Sequence, residues 1–285
     1  MICKCAHHWG VISLLSVILT TQGFGAYDIN NGGFELFEYN AAFDINTPTD
    51  WQHENFTAVV SHFQPDRGRG SYWKISNLFP YKGSYFLVLS TGDVSPEPDH
   101  AKVQQTITVS AGNTLIGAYF FGAYDYLPYN DYGEIRLTPV ADPNLHELKL
   151  VHVAVSDVGS YGSMKSWERF AHTFEANQAG TYNLTIEVRD VGDAQVNSYL
   201  AVDGLVLCEN ASGGGDINLD CTTDFQDFAL LAEDWLCDCN NPINYQDPNN
   251  NCQFGIDLTG DGFIDTNDLE IMSQYWLEGV KEPEE

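Results

Sequence analysis

Two matching segments near the carboxyl end constrain the fold of this chain more than any other feature. They align at a constant offset of 41 positions, which pairs Asp216 with Asp257 and Trp235 with Trp276. In each segment an Asp-rich loop runs into apolar residues at helical spacing. The two apolar stripes are Phe225, Phe228, Leu231, Ala232 and Trp235, and Leu269, Met272 and Trp276. A fixed period indicates two copies of one supersecondary unit, so the sequence predicts a small module of two loops and two helices.

Each loop spans twelve residues and has oxygen-bearing side chains at positions 1, 3, 5, 9 and 12, while position 7 offers its backbone carbonyl. Hard cations such as Ca²⁺ take about six to eight oxygen ligands, and loops of EF-hand type supply them at these positions. The loops therefore predict two calcium sites. The predicted ligands are Asp216, Asn218, Asp220, Thr222, Asp224 and Asp227 in the first loop, and Asp257, Thr259, Asp261, Phe263, Asp265 and Asp268 in the second.

The duplicated module, 62 residues from 216 to 277, resembles a dockerin domain. The resemblance implies a small all-α domain that holds two calcium ions and attaches its protein to a cohesin-like domain. It also implies recognition residues where each loop meets its helix, here Phe225-Gln226 and Thr266-Asn267. One departure is Cys221, which stands at position 6 of the first loop, where glycine is usual.

Residues 27–210 have a different pattern, in which apolar and polar residues alternate between clusters of Gly, Pro, Asn and Asp. In 182–189 the alternation places Tyr182, Leu184, Ile186 and Val188 towards a core and the residues between them towards water. Eight or more such strands predict a mainly β chain with a two-sheet jelly-roll β-sandwich. The other predicted strands are 84–90, 101–110, 114–121, 134–140, 148–156, 169–175 and 198–208.

The two ends of this region carry short motifs, Asn31-Gly-Gly-Phe-Glu35 and Leu200-Ala-Val-Asp-Gly-Leu205. They resemble motifs of jelly-roll carbohydrate-binding modules and galactose-binding-like domains. The resemblance implies glycan binding and a structural calcium ion shared by Glu35 and Asp203. In the alternative reading, the first motif is only a turn and Asp203 is an exposed strand residue.

The segment 119–132 holds seven aromatic rings together with two Asp and one Asn. Aromatic faces stack on sugar rings, and carboxylates and amides bind sugar hydroxyls, so this segment predicts a glycan site with a second wall at 159–167. The predicted ligand-binding residues are Tyr124, Asp125, Tyr126, Tyr129, Asn130, Asp131 and Trp167. In the alternative reading, the rings fill the core and the loop is a rigid corner that holds a cation through Asp125 and Asp131.

The charge balance restricts the partners of the protein. The chain carries 40 Asp plus Glu against 12 Lys plus Arg, a formal net charge of −28. Such a surface repels phosphate backbones and anionic lipids, so we expect no nucleic-acid partner. The Gly/Ser stretch at 211–215 predicts a short flexible linker between a domain at 27–210 and a second domain at 216–285.

The first 26 residues predict a secretory signal peptide, with an apolar run at 11–20 and small residues up to Ala26. The run is too short to span a membrane, which takes about 20 residues. We therefore expect a secreted, extracellular or cell-surface protein. Five Cys remain after removal of the peptide, and an oxidising compartment favours disulfides, with Cys237 or Cys239 joined to Cys252. A zinc site built from these thiolates is the alternative.

These patterns together predict a secreted, non-catalytic protein that binds a polysaccharide or cell-surface glycan and is tethered through the calcium module, with a role in polysaccharide breakdown. One alternative is a polysaccharide-degrading enzyme that uses the sandwich cleft, and another is a structural cell-surface protein. Glycoside cleavage needs two carboxyl groups about 5–9.5 Å apart. No carboxylate pair in the sequence has a diagnostic spacing, and HExxH and GxSxG motifs are absent from it.

Overall fold

The computed structural model describes residues 29–41, 44–66, 72–92, 99–192, 195–209, 214–239 and 256–277. The predicted signal peptide and Cys252 lie outside these ranges. Within the ranges, no helix has the length and apolar character needed to cross a membrane.

Two antiparallel five-stranded sheets face each other within the described residues from 29 to 209, which confirms the predicted β-sandwich. One sheet has the strand order β10-β7-β12-β5-β4, the other has the order β3-β6-β11-β8-β9, and β1 pairs with β2 in a separate hairpin. The strands are β1 Phe37–Asn40, β2 Ile45–Pro48, β3 Gln52–Glu54, β4 Phe56–Val60, β5 Phe86–Ser90, β6 His100–Val109, β7 Thr114–Ala123, β8 Tyr132–Pro139, β9 Leu148–Ala154, β10 Glu168–Thr173, β11 Gly180–Arg189 and β12 Ser198–Cys208. A short helix, α1 Val155–Val158, follows β9, and a single 3₁₀ turn, Ala176–Gln178, precedes β11.

The core lies between the two sheets, and β11 shows why the alternating pattern predicts it well. Tyr182, Leu184, Ile186 and Val188 are fully buried, as the period of two requires. The expectation that the intervening residues face water is wrong for Thr185 and Glu187, which are 3% and 2% exposed. For Glu187 the reason is a group of charged neighbours on the outer face of the sheet, described below.

The sequence missed the strands between 37 and 60 because they are short and lack a clear alternation. It also extended one predicted strand to residue 156, where the chain instead turns into α1. Backbone N–H of Ala154, which precedes this helix, donates to Asp157 Oδ2 at 2.8 Å, so a side chain inside the first turn fixes the start of the helix.

Two helices of nine residues, α2 Phe225–Glu233 and α3 Thr266–Gln274, follow the two Asp-rich loops at equivalent positions. Asp224 and Asp265 precede the helices, and their carboxylates accept backbone N–H groups of the first turn, each at 2.7 Å. Asp is favoured at this position because the first N–H groups of a helix have no partner within it. The repeat predicted at an offset of 41 is therefore present in the backbone.

The two copies close on each other reciprocally. Backbone N–H of Leu236, after α2, donates to Ile264 O of the second loop at 2.8 Å, and that of Leu277, after α3, donates to Thr223 O of the first loop at 2.8 Å. Leu231 and Met272 are fully buried in a small core of their own, separate from that of the sandwich. The module is nevertheless linked to the sandwich by a disulfide between Cys208 and Cys221.

Candidate functional site

The loop between β7 and β8 is held against the segment that follows α1. Backbone N–H of Tyr161 donates to Asp125 O at 2.7 Å, and backbone N–H of Leu127 donates to Ser160 Oγ at 3.1 Å. Within the loop, backbone N–H of Tyr129 donates to Tyr126 O at 2.9 Å. These bonds fix the loop to a second piece of chain, so its side chains are presented from a defined backbone.

Four tyrosine rings meet on the surface of this loop and its neighbours, and we call them the tyrosine platform: Tyr72, Tyr126, Tyr129 and Tyr161. Tyr126 stacks on Tyr161, with ring centroids 5.3 Å apart, and meets Tyr129 edge-on at 5.4 Å. Tyr72 lies 6.3 Å from Tyr161 and is 69% exposed, while Tyr126 is 38% exposed. The platform is a contiguous aromatic surface open to solvent.

Backbone geometry keeps these rings in place. Tyr161 has a φ of 58°, in the left-handed region that side chains rarely adopt. Gly192 packs directly against the ring of Tyr129, and a Cβ at that glycine would lie 2.9 Å from Tyr129 Cδ1. A larger residue at 192 would displace the ring, so the glycine sets the position of this part of the platform.

Three buried carboxylates lie close together in the same region: Asp125, Asp131 and Asp190. One oxygen of each lies within 4.8 Å of the others. Asp125 Oδ1 accepts the backbone N–H of Tyr126 at 2.7 Å, and Asp131 accepts from Val191 N at 2.8 Å and Ser198 Oγ at 2.7 Å. Asp125 and Asp131 are therefore not open to a sugar and instead hold the loop.

Of the remaining predicted ligand residues, Trp167 and Tyr124 lie in the core, and the side chain of Asn130 contacts the start of α1. Trp167 is 1% exposed, and its ring meets Phe86 edge-on at 5.5 Å inside the sandwich. Tyr124 is 4% exposed and packs against Trp73 at 5.2 Å. Asn130 Oδ1 accepts the backbone N–H of Ser156 at the start of α1. The buried rings of Trp167 and Tyr124 offer no face to a ligand, so the alternative of core packing, given for the rings of 119–132, holds for Tyr124.

The sequence reasoning included Tyr126 and Tyr129 but missed Tyr72 as a site residue. Tyr72 follows a Gly- and Arg-rich stretch without any apolar pattern, and it reaches the platform through a backbone bridge to Gly162. Tyr161 lies inside the segment 159–167 that was expected to form a second wall. That segment contributes its tyrosine rather than its tryptophan.

Glu35 and Asp203 converge on one turn. Asp203 Oδ2 accepts the backbone N–H of Lys82 at 3.0 Å, and Glu35 Oε1 accepts that of Ser84 at 2.7 Å. Burial raises the pKa of Asp203 to about 8, and the charge of Glu35 adds to this effect, while hydrogen bonds from Lys82 and Gly204 oppose it. The reading of Asp203 as an exposed strand residue is wrong because it is fully buried.

The two Asp-rich loops share one pattern of hydrogen bonds. The carboxylate at position 1 accepts the N–H of position 6, the carboxylate at position 5 accepts that of position 7, and the carboxylate at position 12 accepts those of positions 3 and 9. In the first loop the bonds run from Cys221 N to Asp216, from Thr222 N to Asp220, and from Asn218 N and Asp224 N to Asp227. In the second loop they run from Gly262 N to Asp257, from Phe263 N to Asp261, and from Thr259 N and Asp265 N to Asp268. All eight bonds are between 2.7 and 3.0 Å long. In each loop, the carboxylates thus fix the backbone through hydrogen bonds from its N–H groups.

The oxygen sets of the loops fit a hard cation. Asn218 Oδ1, at position 3 of the first loop, is a buried acceptor with no hydrogen-bond partner. Burial raises the pKa of Asp227 and of Asp257, and a bound cation would offset that cost by favouring the ionised form. Within the described ranges, the only three carboxylates with oxygens within 4.8 Å of one another are Asp125, Asp131 and Asp190. The carboxylates of the two loops instead accept backbone N–H groups of their own loops.

Charged residues form a network on the outer face of the second sheet. Arg136 Nη1 donates to both Glu134 and Glu187, which are cross-strand neighbours, and Lys149 Nζ lies 2.9 Å from Glu134. Burial acts to raise the pKa of Glu187, but hydrogen bonds from Arg136 and Arg189 outweigh it and hold the pKa below its ordinary value. A general acid for glycoside cleavage needs a raised pKa, and the lowered pKa of Glu187 does not suit that role.

No family model matches the chain, and no curated protein matches it. Solved structures to which it is similar include carbohydrate-binding modules. Among them are TmCBM61 in complex with β-1,4-galactotriose (15% identity, 65% of this chain and 98% of that chain, TM-score 0.36), a CBM4 module (14%, 63% and 98%, 0.30) and the xylan-binding domain from CBM22 (12%, 62% and 95%, 0.31). With TM-scores this low, the likeness carries no argument about the ligand of this chain.

Proposed function

We propose that the protein binds a polysaccharide or a cell-surface glycan through the tyrosine platform. The observation that carries this proposal is the contiguous set of four rings on a loop fixed by backbone hydrogen bonds, with Tyr72 and Tyr126 exposed. Aromatic faces bury the apolar face of a sugar ring, and phenol hydroxyls bind its hydroxyl groups. A preformed surface also loses little conformational entropy when a ligand binds.

We also propose that each Asp-rich loop binds one calcium ion. Support comes from the oxygen donors at positions 1, 3, 5, 9 and 12, from the shared loop geometry and from the buried acceptor Asn218 Oδ1. A third ion shared by Glu35 and Asp203 fits the two carboxylates that converge on the 82–85 turn. Calcium would supply charge neutralisation in all three places, and the residues named here would hold it.

The module then serves as a dockerin-like attachment to a cohesin-like partner. The expected recognition residues Phe225, Gln226, Thr266 and Asn267 are all exposed, and Phe225 is 75% exposed although it is a large apolar residue. An exposed apolar residue on a small module is typical of a docking surface. The protein would be secreted and would act at a surface or in polysaccharide breakdown by holding its partner near the glycan.

A glycan array with the mature chain, residues 27–285, tests the glycan proposal when it is run beside an assay for released reducing sugar. Binding to at least one polysaccharide without release of reducing ends is the expected result. Release of reducing ends would instead identify the polysaccharide-degrading alternative. Failure to bind any glycan in the presence of calcium would overturn the proposal.

A further inference from the structure

The first calcium loop is anchored to the sandwich by side chains that bind its backbone. Three sandwich residues donate to three carbonyls of the loop, which a freely tethered module would leave to water. The pairs are Arg169 Nη1 to Asp216 O at 2.7 Å, Tyr81 OH to Ile217 O at 2.9 Å and Lys82 Nζ to Leu219 O at 2.9 Å. The turn at 81–82, whose backbone donates a hydrogen bond to Asp203, therefore also binds the first loop.

Packing and a covalent bond strengthen this contact. Leu219 is 2% exposed and belongs to the sandwich core rather than to the core of the module. It fits against Gly204, where a Cβ would lie 2.6 Å from Leu219 Cδ1. Cys221 is joined by a disulfide to Cys208 at the end of β12. The disulfide joins residues on either side of the predicted linker at 211–215, of which 211–213 lie outside the described residues.

The two loops differ in the residues at the two positions that make this contact. Leu219 and Cys221 have φ angles of 54° and 73°, in the left-handed region. The equivalent positions of the second loop hold Gly260 and Gly262, with φ angles of 72° and 91°. Glycine is the residue suited to such angles, and a side chain there is disfavoured. The two positions at which the first loop departs from glycine are the two that grip the sandwich.

We propose that the first loop belongs to the folding unit of the sandwich, so that a calcium ion bound there stabilises the glycan-binding domain itself. This inference rests on the proposed binding of calcium by the loops. An ion that binds only the native form raises its stability by mass action, and the anchoring contacts transmit that gain to strands β10 and β12 and to the turn before β5. The second loop, which has glycine at both positions, contributes less.

The test uses the mature chain with Trp235→Phe and Trp276→Phe. Three tryptophans then remain, at 51, 73 and 167, and all lie in the sandwich, so their fluorescence follows its thermal unfolding alone. Calcium at about a hundredfold excess over Kd is expected to raise the Tm by about 5–10 °C relative to chelator. Asp220→Ala should remove most of this rise, and its matched control at position 5 of the second loop, Asp261→Ala, should keep more than half of it.

The proposal would be overturned if Asp220→Ala and Asp261→Ala lowered the calcium-dependent rise in Tm equally. It would also be overturned if both variants kept the full rise, and that result would assign the rise to an ion at Glu35 and Asp203. If the tryptophan substitutions unfold the module, hydrogen exchange of β12 in the unmodified chain gives the same comparison. Calorimetric titration separates the two levels of the claim. Absence of calcium binding defeats the proposal that the loops bind calcium, whereas binding to both loops without a shift in the Tm of the sandwich defeats only the coupling.

A final variant isolates the anchor. Cys208→Ser with Cys221→Gly removes the disulfide and restores the glycine that such loops usually have. We expect this variant to keep two loop ions by titration but to lose at least half of the calcium-dependent rise in the Tm of the sandwich. An unchanged rise would show that the disulfide does not contribute to the coupling.

Discussion

Tyr126 and Tyr161 stack with their ring centroids 5.3 Å apart and their planes at 26°. Tyr126 lies in the loop before β8, and Tyr161 lies beyond α1, so β8, β9 and α1 separate the two rings in the sequence. The platform is therefore a product of tertiary structure rather than of one aromatic segment. A ligand that covers Tyr126 and Tyr161 would contact both of these loops.

Arg136 is predicted to be the most sensitive position of the charged network. Arg136→Ala leaves the buried carboxylates of Glu134 and Glu187 with only Lys149 and Arg189 as charged partners, and we expect a cost of about 1.5–3 kcal/mol. Urea unfolding monitored by fluorescence measures the loss. Lys149→Ala is the control, because Lys149 is 48% exposed and its ion pair should contribute less than about 1 kcal/mol. Equal losses from both substitutions would refute the assignment.

Acid should weaken the same network. The pKa of Glu187 is lowered in the folded protein, so its contribution is fully present above the ordinary Glu value of about 4.3 and is lost as the pH falls through the folded value. The difference in unfolding free energy between the parent and Glu187→Gln should therefore shrink from about pH 5 to about pH 3. A difference that stays constant over this range would contradict the lowered pKa.

Calcium binding should be countable. We expect calorimetric titration of the mature chain to give two loop ions, plus one more if Glu35 and Asp203 share an ion. Asp227→Asn and Asp268→Asn should each remove one ion, because these fully buried carboxylates organise the N–H groups of their loops. Unaltered stoichiometry in both variants would exclude the loops as the calcium sites.

The disulfides should match the structure when peptides are mapped without reduction. Cys208 is bridged to Cys221, and Cys239 is also disulfide-bonded. The predicted partner for Cys239 is Cys252, which lies outside the described residues. Recovery of free thiols at 208 and 221 from secreted protein would count against the bridge and against export.

Local pattern predicted much of the fold because strands and helices impose short periods on the sequence. The alternation in β11 identified four of its six buried residues, and the offset of 41 identified two equivalent loop and helix units. Glu187 broke the alternation because burial of a carboxylate depends on an arginine from another strand. No period along β11 contains that information.

The site was harder to predict because it depends on which loops meet. Aromatic content marked the segment of Tyr126 and Tyr129, but it gave equal weight to Tyr124, which fills the core. Tyr72 has no local signal, since its role comes from contact with Tyr161. Likewise, Cys221 was recognised as unusual in its loop, but its bridge to Cys208 was one of several pairings that the sequence allowed.

Affinity electrophoresis in gels that contain a polysaccharide selected by the array tests the glycan site most directly. Tyr72→Ala with Tyr126→Ala removes the two exposed rings of the platform, and Tyr39→Ala removes a ring that is 64% exposed elsewhere on the sandwich. The platform variant should bind at least about tenfold more weakly, a loss of about 1.4 kcal/mol or more, with an unchanged Tm. The Tyr39 variant should be retarded like the parent. Undiminished retardation of the folded platform variant would show that the glycan binds elsewhere.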